Sequence, residues 1–121
     1  MDKKVICSAS HYAQKYYFSP EFNGIPAAIK NEIKEICIIT AEKLRGIFTM
    51  GFYENGEIFF EVRSEGNDYN FDDIGAPLEI KRIELEKKEL LKALKLWYKF
   101  FMTEEGRTII EKMDERNNAP S

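Results

Sequence analysis

The chain has 121 residues, 44% of them hydrophobic and 13% aromatic, which is enough for one domain with its own core. The formal net charge of −3 argues against nonspecific nucleic-acid binding, which usually needs a strongly basic surface. The apolar runs are too short for a secretory signal or a membrane span, so the sequence predicts a cytoplasmic protein with no membrane segment. We expect a single domain over residues 1–114 and a frayed tail over residues 115–121.

The stretch SHYAQKYYF, residues 10–18, predicts a short N-terminal helix. Ser10 is a good N-cap residue, and apolar side chains recur at spacings of three and four. They are Ala9, Tyr12, Ala13, Tyr16 and Tyr17. Pro20 then ends the helix, because the residue before a proline avoids the α region.

A long helix is predicted over residues 26–45. Pro26 suits its first turn, Gly46 suits its C-terminal end, and one apolar stripe steps by threes and fours between them. The stripe consists of Ile29, Ile33, Ile36, Thr40 and Leu44. Ile38 and Ile39 lie off the stripe, so either the helix is covered on two sides or this segment is a strand; we favour the helix.

Residues 47–63 carry the clearest local pattern, two β-branched and aromatic runs that flank Asn55-Gly56. That dipeptide predicts a type I′ turn and an antiparallel β-hairpin. In the register that this turn sets, both faces of the hairpin are apolar near the turn. We therefore expect helices or a second subunit to cover both faces. The predicted pairs are Tyr53–Ile58, Gly51–Phe60 and Thr49–Val62.

The second half of the chain predicts more helix. Residues 86–102 have an amphipathic pattern, whereas residues 78–85 fit either a third strand with a bulge or the start of a longer helix. Asp72 or Asp73 is placed to cap a following helix, and Thr103 is placed to cap a last short helix. The apolar residues of that last helix are Ile109, Ile110 and Met113.

No reactive centre is predicted. The only histidine, His11, has no partner at a motif spacing, and Cys7 and Cys37 lie in apolar runs that favour buried, reduced thiols. The glycines form no phosphate-binding loop, and the acidic stretch 65–73 lacks the ligand spacing of a calcium loop. We therefore predict no cofactor and no metal. The alternative is a small-molecule-binding protein or small enzyme with a pocket lined by His11, Tyr12, Tyr16 and Tyr53.

The helix over residues 86–102 carries the candidate interaction surface. Leu96 and Phe100 lie off its apolar seam on a helical wheel, and an exposed apolar patch of this kind often marks an interface. Lysines also form a basic ridge along this helix, at positions 88, 92, 95 and 99. We predict a homodimer whose contact residues are Lys92, Ala93, Leu96, Lys99 and Phe100.

Several segments of the chain resemble one protein family. They are SHYAQKYYF, IPAAIKNEIKEIC, the glycine after TAEKLR, the FEV of the second hairpin strand, DDIG and EKKELLKAL. Over residues 7–102 the chain is similar to a family of small bacterial proteins, from Gram-positive anaerobes, known only as a domain of unknown function. The resemblance implies no activity, no cofactor and no catalytic residues.

The sequence thus predicts an α+β fold. An antiparallel β-hairpin, with residues 78–85 as an alternative third strand, packs against two long helices and a short N-terminal helix. The function favoured is a non-catalytic cytoplasmic interaction or regulatory module that self-associates. Another protein partner remains open, whereas the composition argues against nucleic acid.

Overall fold

The computed structural model describes residues 2–65 and 71–118. Two strands come first and are followed by a long helix, two more strands and three helices. The α+β class is confirmed, with four described strands in one antiparallel sheet. The elements are β1 Lys3–Ser10, β2 Lys15–Phe18, α1 Ala27–Leu44, β3 Ile47–Tyr53, β4 Ile58–Arg63, α2 Gly75–Glu86, α3 Lys88–Phe101 and α4 Glu104–Asn118, with a short 3-10 helix at Pro20–Phe22.

The N-terminal segment is a β-hairpin, so the predicted short helix over residues 10–18 is wrong. β1 pairs antiparallel with β2, and the chain reverses between them through a turn over residues 11–14. Ser10 caps this turn, because its Oγ accepts a hydrogen bond from the Ala13 N–H at 3.1 Å. The same hydroxyl-to-backbone bond occurs at helix starts and in turns, which makes the sequence signal ambiguous.

β1 lies inside the sheet, whose strand order is β2-β1-β3-β4. Its pairing with β3 shifts register between Val5 and Cys7, so β1 carries a bulge at Ile6. Ile6 and Cys7 are consequently both fully buried. β1 therefore contributes two successive side chains to the core, where a regular strand would contribute alternate ones.

The hairpin of β3 and β4 is confirmed, but the predicted register is wrong by one residue. The Tyr53 N–H donates to the Glu57 carbonyl at 2.7 Å, and the Gly56 N–H donates to the Tyr53 carbonyl at 2.9 Å. Residues 54–56 thus form the loop, with Gly56 in the left-handed region at φ 86°. The observed pairs are Phe52–Ile58, Gly51–Phe59, Met50–Phe60, Thr49–Glu61 and Phe48–Val62.

The observed register gives the hairpin one apolar face and one mixed face. On the mixed face, Glu61 and Arg63 are exposed, while Phe59 lies against Gly51. The argument for cover on both faces therefore no longer holds, because a slip of one residue moves every β4 side chain to the opposite face. The apolar face carries Phe48, Met50, Phe52, Ile58, Phe60 and Val62.

α1 packs on this apolar face and is helical, as predicted. It ends with Arg45 in the left-handed conformation, and the Gly46 N–H donates to the Ala41 carbonyl at 3.0 Å. Ile38 and Ile39 point away from the buried side and are 39% and 51% exposed. The stripe residues Ile33, Ile36, Thr40 and Leu44 are buried.

Residues 78–85 belong to α2, so the third-strand alternative is wrong; these residues are helical, but they do not begin a helix that continues through residues 86–102. α2 and α3 are separate helices, because Lys87 between them has φ −111° and ψ 27°. Among the described residues, no helix is long and apolar enough to cross a bilayer.

α2 and α4 begin with the predicted caps. The Gly75 N–H donates to Asp72 Oδ1 at 2.8 Å, and the Gly106 N–H donates to Thr103 Oγ1 at 3.1 Å. α4 includes residues 115–118 of the predicted tail. The extent of the single domain stays a prediction.

Candidate interaction surface

The inner side of α3 is fixed to the sheet. Tyr98 lies against Phe52, with ring centroids 4.9 Å apart, and its hydroxyl donates to the Glu54 carbonyl at 2.7 Å. Leu90 and Leu94 are buried on the same side. These contacts determine which side of α3 faces away from the sheet.

The opposite side of α3, which we call the α3 outer face, holds the five predicted interface residues. Leu96 lies at its centre and is 54% exposed. Ala93 and Phe100 are half-buried, whereas Lys92 and Lys99 are exposed. Spacings of three, four and seven along an α-helix place all five on one side. The structure thus brings them together, and their role as an interface stays a prediction.

The predicted lysine ridge is partly used within the chain. Lys95 forms an ion pair with Glu57 of the hairpin loop at 2.9 Å. Lys92 and Lys99 have no ion-pair partner among the described residues. The α3 outer face is therefore an apolar centre between two lysines that form no ion pair with the described part of the chain.

α4 meets α3 at the C-terminal end of this face. Gly106 packs so closely that an added Cβ would lie 2.5 Å from the Phe100 Cα and 2.0 Å from the Lys99 carbonyl. Arg107 Nε donates to the Phe101 carbonyl at 3.2 Å. Several apolar side chains at this end of the molecule are 39% to 55% exposed. They are Leu96, Phe101, Ile109 and Met113.

Three of the predicted pocket residues, His11, Tyr12 and Tyr16, lie in the β1–β2 hairpin. His11 Nδ1 is 3.2 Å from Glu42 Oε2, and Gln14 Nε2 donates to Glu42 Oε1 at 2.8 Å. These contacts, first that of Gln14 and then that of His11, hold the pKa of Glu42 below its usual range. Tyr16 lines a groove of about 130 Å³ next to Glu42. Pockets for small molecules usually exceed about 300 Å³.

The four predicted pocket residues do not converge. The His11 N–H donates to the Gly46 carbonyl at 3.0 Å, just before β3 begins, whereas Tyr53 ends β3. At about 3.3 Å per residue, the length of β3 places Tyr53 about 20 Å from that end. The Tyr12 hydroxyl accepts a hydrogen bond from the Glu65 N–H at 3.1 Å. The structure therefore separates Tyr53 from the other three.

Cys7 and Cys37 are free and fully buried, as predicted. They face each other across the β1–α1 contact, with Cys37 Sγ 3.9 Å from the Cys7 carbonyl oxygen. A hydrogen bond between the two thiols lowers the pKa of Cys7, and the same bond together with burial raises the pKa of Cys37 well above its usual range. Burial shields both thiols from reagents in water.

The acidic stretch 65–73 is explained in part by local structure. Asp72 caps α2, as described above, and Asp68 lies outside the described residues. Within residues 2–65 and 71–118, no three His, Cys, Asp or Glu side chains are grouped to hold a metal ion.

A second exposed apolar surface lies on α2, and sequence reasoning did not identify it as exposed. Its residues are 59% to 85% exposed. α2 instead buries Glu79, whose carboxylate pairs with Lys43 of α1 at 2.9 Å and with Arg82. The sequence shows that Ile74, Leu78 and Leu85 share one helical face, but it does not show that α2 buries Glu79 on its other side. The exposed residues are Ile74, Leu78 and Leu85.

The fold and this surface define a class: an α+β protein with a four-stranded antiparallel sheet, helices packed on its apolar face, and exposed apolar side chains on those helices. The chain belongs to a family of unknown function, DUF6145, whose model matches residues 3–106. This confirms the resemblance to a domain of unknown function; the bacterial source stays a prediction. The comparisons with curated proteins and with solved structures found no match.

Proposed function

We propose that the protein is a non-catalytic cytoplasmic interaction module that self-associates through the α3 outer face. The observation that carries the proposal is the exposure of Leu96, at the centre of a helix whose other side is anchored to the sheet. Burying a leucine side chain contributes about 1.5–3 kcal/mol. A two-fold dimer would bury Leu96 twice.

The charges beside the face support an orientation for the two copies. Lys92 and Lys99 flank Leu96 and lack ion-pair partners among the described residues. Exposed glutamates lie along the hairpin of the same chain, at positions 54, 57, 61 and 65. An exposed ion pair contributes only about 0–1 kcal/mol. The apolar centre therefore supplies the affinity, and the charges favour one arrangement of the copies.

Leu96→Glu tests this proposal. We expect the variant to have the mass of one chain in sedimentation velocity, because it places a carboxylate at the centre of the contact. Phe100→Glu is a poorer probe, since Phe100 is already half-buried within the chain, whereas Leu96 is 54% exposed.

Leu78→Glu is the matched control. Leu78 is 70% exposed, on α2, so the same substitution there changes the same charge without touching the α3 outer face. We expect this variant to stay dimeric. A dimer that survives Leu96→Glu, or one that is lost with Leu78→Glu alone, would contradict the proposal.

A further inference from the structure

β4 is an edge strand, and one side of its backbone is open. The sheet order is β2-β1-β3-β4. The Tyr53 N–H donates to the Glu57 carbonyl at 2.7 Å, and hydrogen-bonded pairs alternate with non-bonded pairs along an antiparallel ladder. From that first pair, the β4 residues whose backbone N–H and C=O groups point away from β3 are Ile58, Phe60 and Val62. No hydrogen bond joins these groups to any other segment within residues 2–65 and 71–118.

The other edge strand, β2, is a poorer site for an added strand. It has four residues, or about 13 Å, whereas β4 has six residues, or about 20 Å. The groove beside β2 has a volume of about 130 Å³, and the groove beside β4 has a volume of about 310 Å³. Short edge strands are one means by which proteins prevent strand addition. Length and adjacent space therefore both favour β4.

The groove beside β4 runs along the edge of the strand. Its lining includes three successive residues, 58–60. Because successive side chains of a strand point to opposite faces, a groove that contacts all three follows the edge. Ile80 of α2 and Leu91 of α3 form the opposite wall. These two side chains are partly buried against the core, as are Ile58 and Phe60, so a chain in the groove has apolar surface on two sides.

The outer part of the groove carries more positive than negative charge. A second cavity, of about 280 Å³, continues the first one at Glu84 and Lys95 and adds Lys88 and Lys92. Glu57 lines the first cavity and is paired with Lys95 at 2.9 Å. No other ion pair of the described residues includes these side chains, so two lysines and one glutamate are left. This balance favours a carboxylate over a cationic side chain.

We infer that the open edge of β4 binds an extended segment of a partner protein, with an apolar side chain in the groove and a carboxylate beside Lys88 and Lys92. The outward N–H and C=O groups of β4 require an extended partner, because the backbone groups of a helix are bonded within the helix. Backbone hydrogen bonds supply the affinity, and the groove supplies the specificity. The site goes beyond the proposed self-association, since it shares only Lys92 with the α3 outer face.

A peptide selection tests the inference. A library of random twelve-residue peptides displayed on phage is selected on the 121-residue chain. We expect the enriched sequences to have apolar residues at alternate positions and at least one Asp or Glu. A synthetic copy of an enriched peptide is then N-methylated on alternate residues. Only every second N–H of an added strand faces β4, so one methylated set should abolish binding and the other should preserve it.

Val62→Pro tests the edge from the side of the protein. Proline removes the outward N–H and leaves the bonds between β3 and β4, a placement that edge strands tolerate. We expect it to weaken binding of the selected peptide about tenfold. Val62→Ala is the matched control, because it also loses the valine side chain but keeps the N–H, and it should bind as the wild type does. If circular dichroism shows that Val62→Pro disrupts the sheet, the methylated peptides decide, since they need no variant.

Lys88→Glu tests the charge beside the groove. We expect it to weaken binding about fivefold. Lys112→Glu makes the same change at an exposed position of α4 that does not line the groove, and it should bind normally. Equal binding by the two variants would contradict the assignment of a carboxylate to the partner. Leu96→Glu should bind the peptide as the wild type does, so this site and self-association can fail independently.

Three results would overturn the inference. They are a selection that enriches no peptide, equal loss of binding with the two methylated peptides, and unchanged binding by a folded Val62→Pro variant. A wild-type dimer that Val62→Pro dissociates would show that a second copy occupies the edge, and the inference of a separate partner would then be wrong.

Discussion

The carboxylate of Glu79 on α2 contacts Lys43 of α1 and Arg82 of its own helix. Its Oε2 lies 2.9 Å from Lys43 Nζ, and its Oε1 accepts a hydrogen bond from Arg82 Nε at 2.9 Å. The side chain is 6% exposed. The Arg82 hydrogen bond is the main cause that lowers the pKa of Glu79, and the Lys43 contact adds to it. A carboxylate in this position stabilises the fold only while it is ionised.

Glu79→Gln is expected to lower the free energy of unfolding at neutral pH by about 1–2 kcal/mol, because it removes two charge-assisted contacts. A lowered pKa in the folded state gives stability that is complete above the unfolded pKa of about 4.3 and is lost as the pH falls through the folded value. The difference between wild type and variant should therefore shrink in acid. Urea unfolding at a series of pH values measures it.

The exposed Glu84 on the same helix provides the control. Glu84→Gln should change the free energy of unfolding by no more than about 0.5 kcal/mol at any pH. A deficit of Glu79→Gln that stays constant from neutral pH into acid would mean that the ionised carboxylate is not what stabilises the contact.

At the scale of elements, the loop between β3 and β4 fixes the face that each β4 side chain occupies. Asn55-Gly56 is typical of a two-residue turn, but here Asn55 Oδ1 accepts a hydrogen bond from the Glu57 N–H at 3.0 Å and Gly56 alone is left-handed. The predicted two-residue turn and the observed three-residue loop 54–56 both contain Asn55-Gly56, so this dipeptide does not tell which of the two forms. Packing does, because only the observed register places Phe60 with Met50 on the face that the helices cover.

Gly56→Ala tests this loop. Gly56 has φ 86°, and an added Cβ would lie 2.8 Å from Tyr98 Cδ1, so the variant meets both backbone strain and a clash with α3. We expect the free energy of unfolding to fall by about 1–3 kcal/mol. In Gly24→Ala, the control, the added Cβ would make an ordinary contact 3.5 Å from Trp97. Chemical unfolding of the two variants measures the difference, and equal losses would contradict this account of the loop.

Helices with strong periodicity could be predicted from the sequence, as α1 and α3 show. The N-terminal hairpin could not, because Tyr16 and Tyr17 fit a helical spacing as well as a strand. Residues 15–18 form strand β2 because they pair with β1. β1 in turn pairs with β3, which is about 40 residues away in the sequence. Such long-range contacts are not encoded in local spacing.

The candidate site could be predicted only at the level of one helix. The side of α3 that bears Leu96 follows from the position of the buried seam, and the structure agrees with that placement. The pocket hypothesis grouped aromatic residues by type, and the sheet separates Tyr53 from His11 along the length of β3. The exposure of Leu78 depends on how α2 packs on α1, which no local pattern reveals.

For the whole molecule, the sheet places its apolar side chains on the face that α1 and α3 cover. The apolar residues left outside this core lie mainly on α2, α3 and α4, with the outermost part of α4 in little contact with the rest. Patches of this kind are typical of association surfaces. This distribution is the reason for proposing self-association, with the α3 outer face as the main contact.

Sedimentation equilibrium of the unmodified chain over a range of concentrations tests self-association most directly. The account predicts a reversible approach to twice the 14.2 kDa of one chain as concentration rises. A mass of 14.2 kDa at every concentration at which the protein remains dissolved would contradict it.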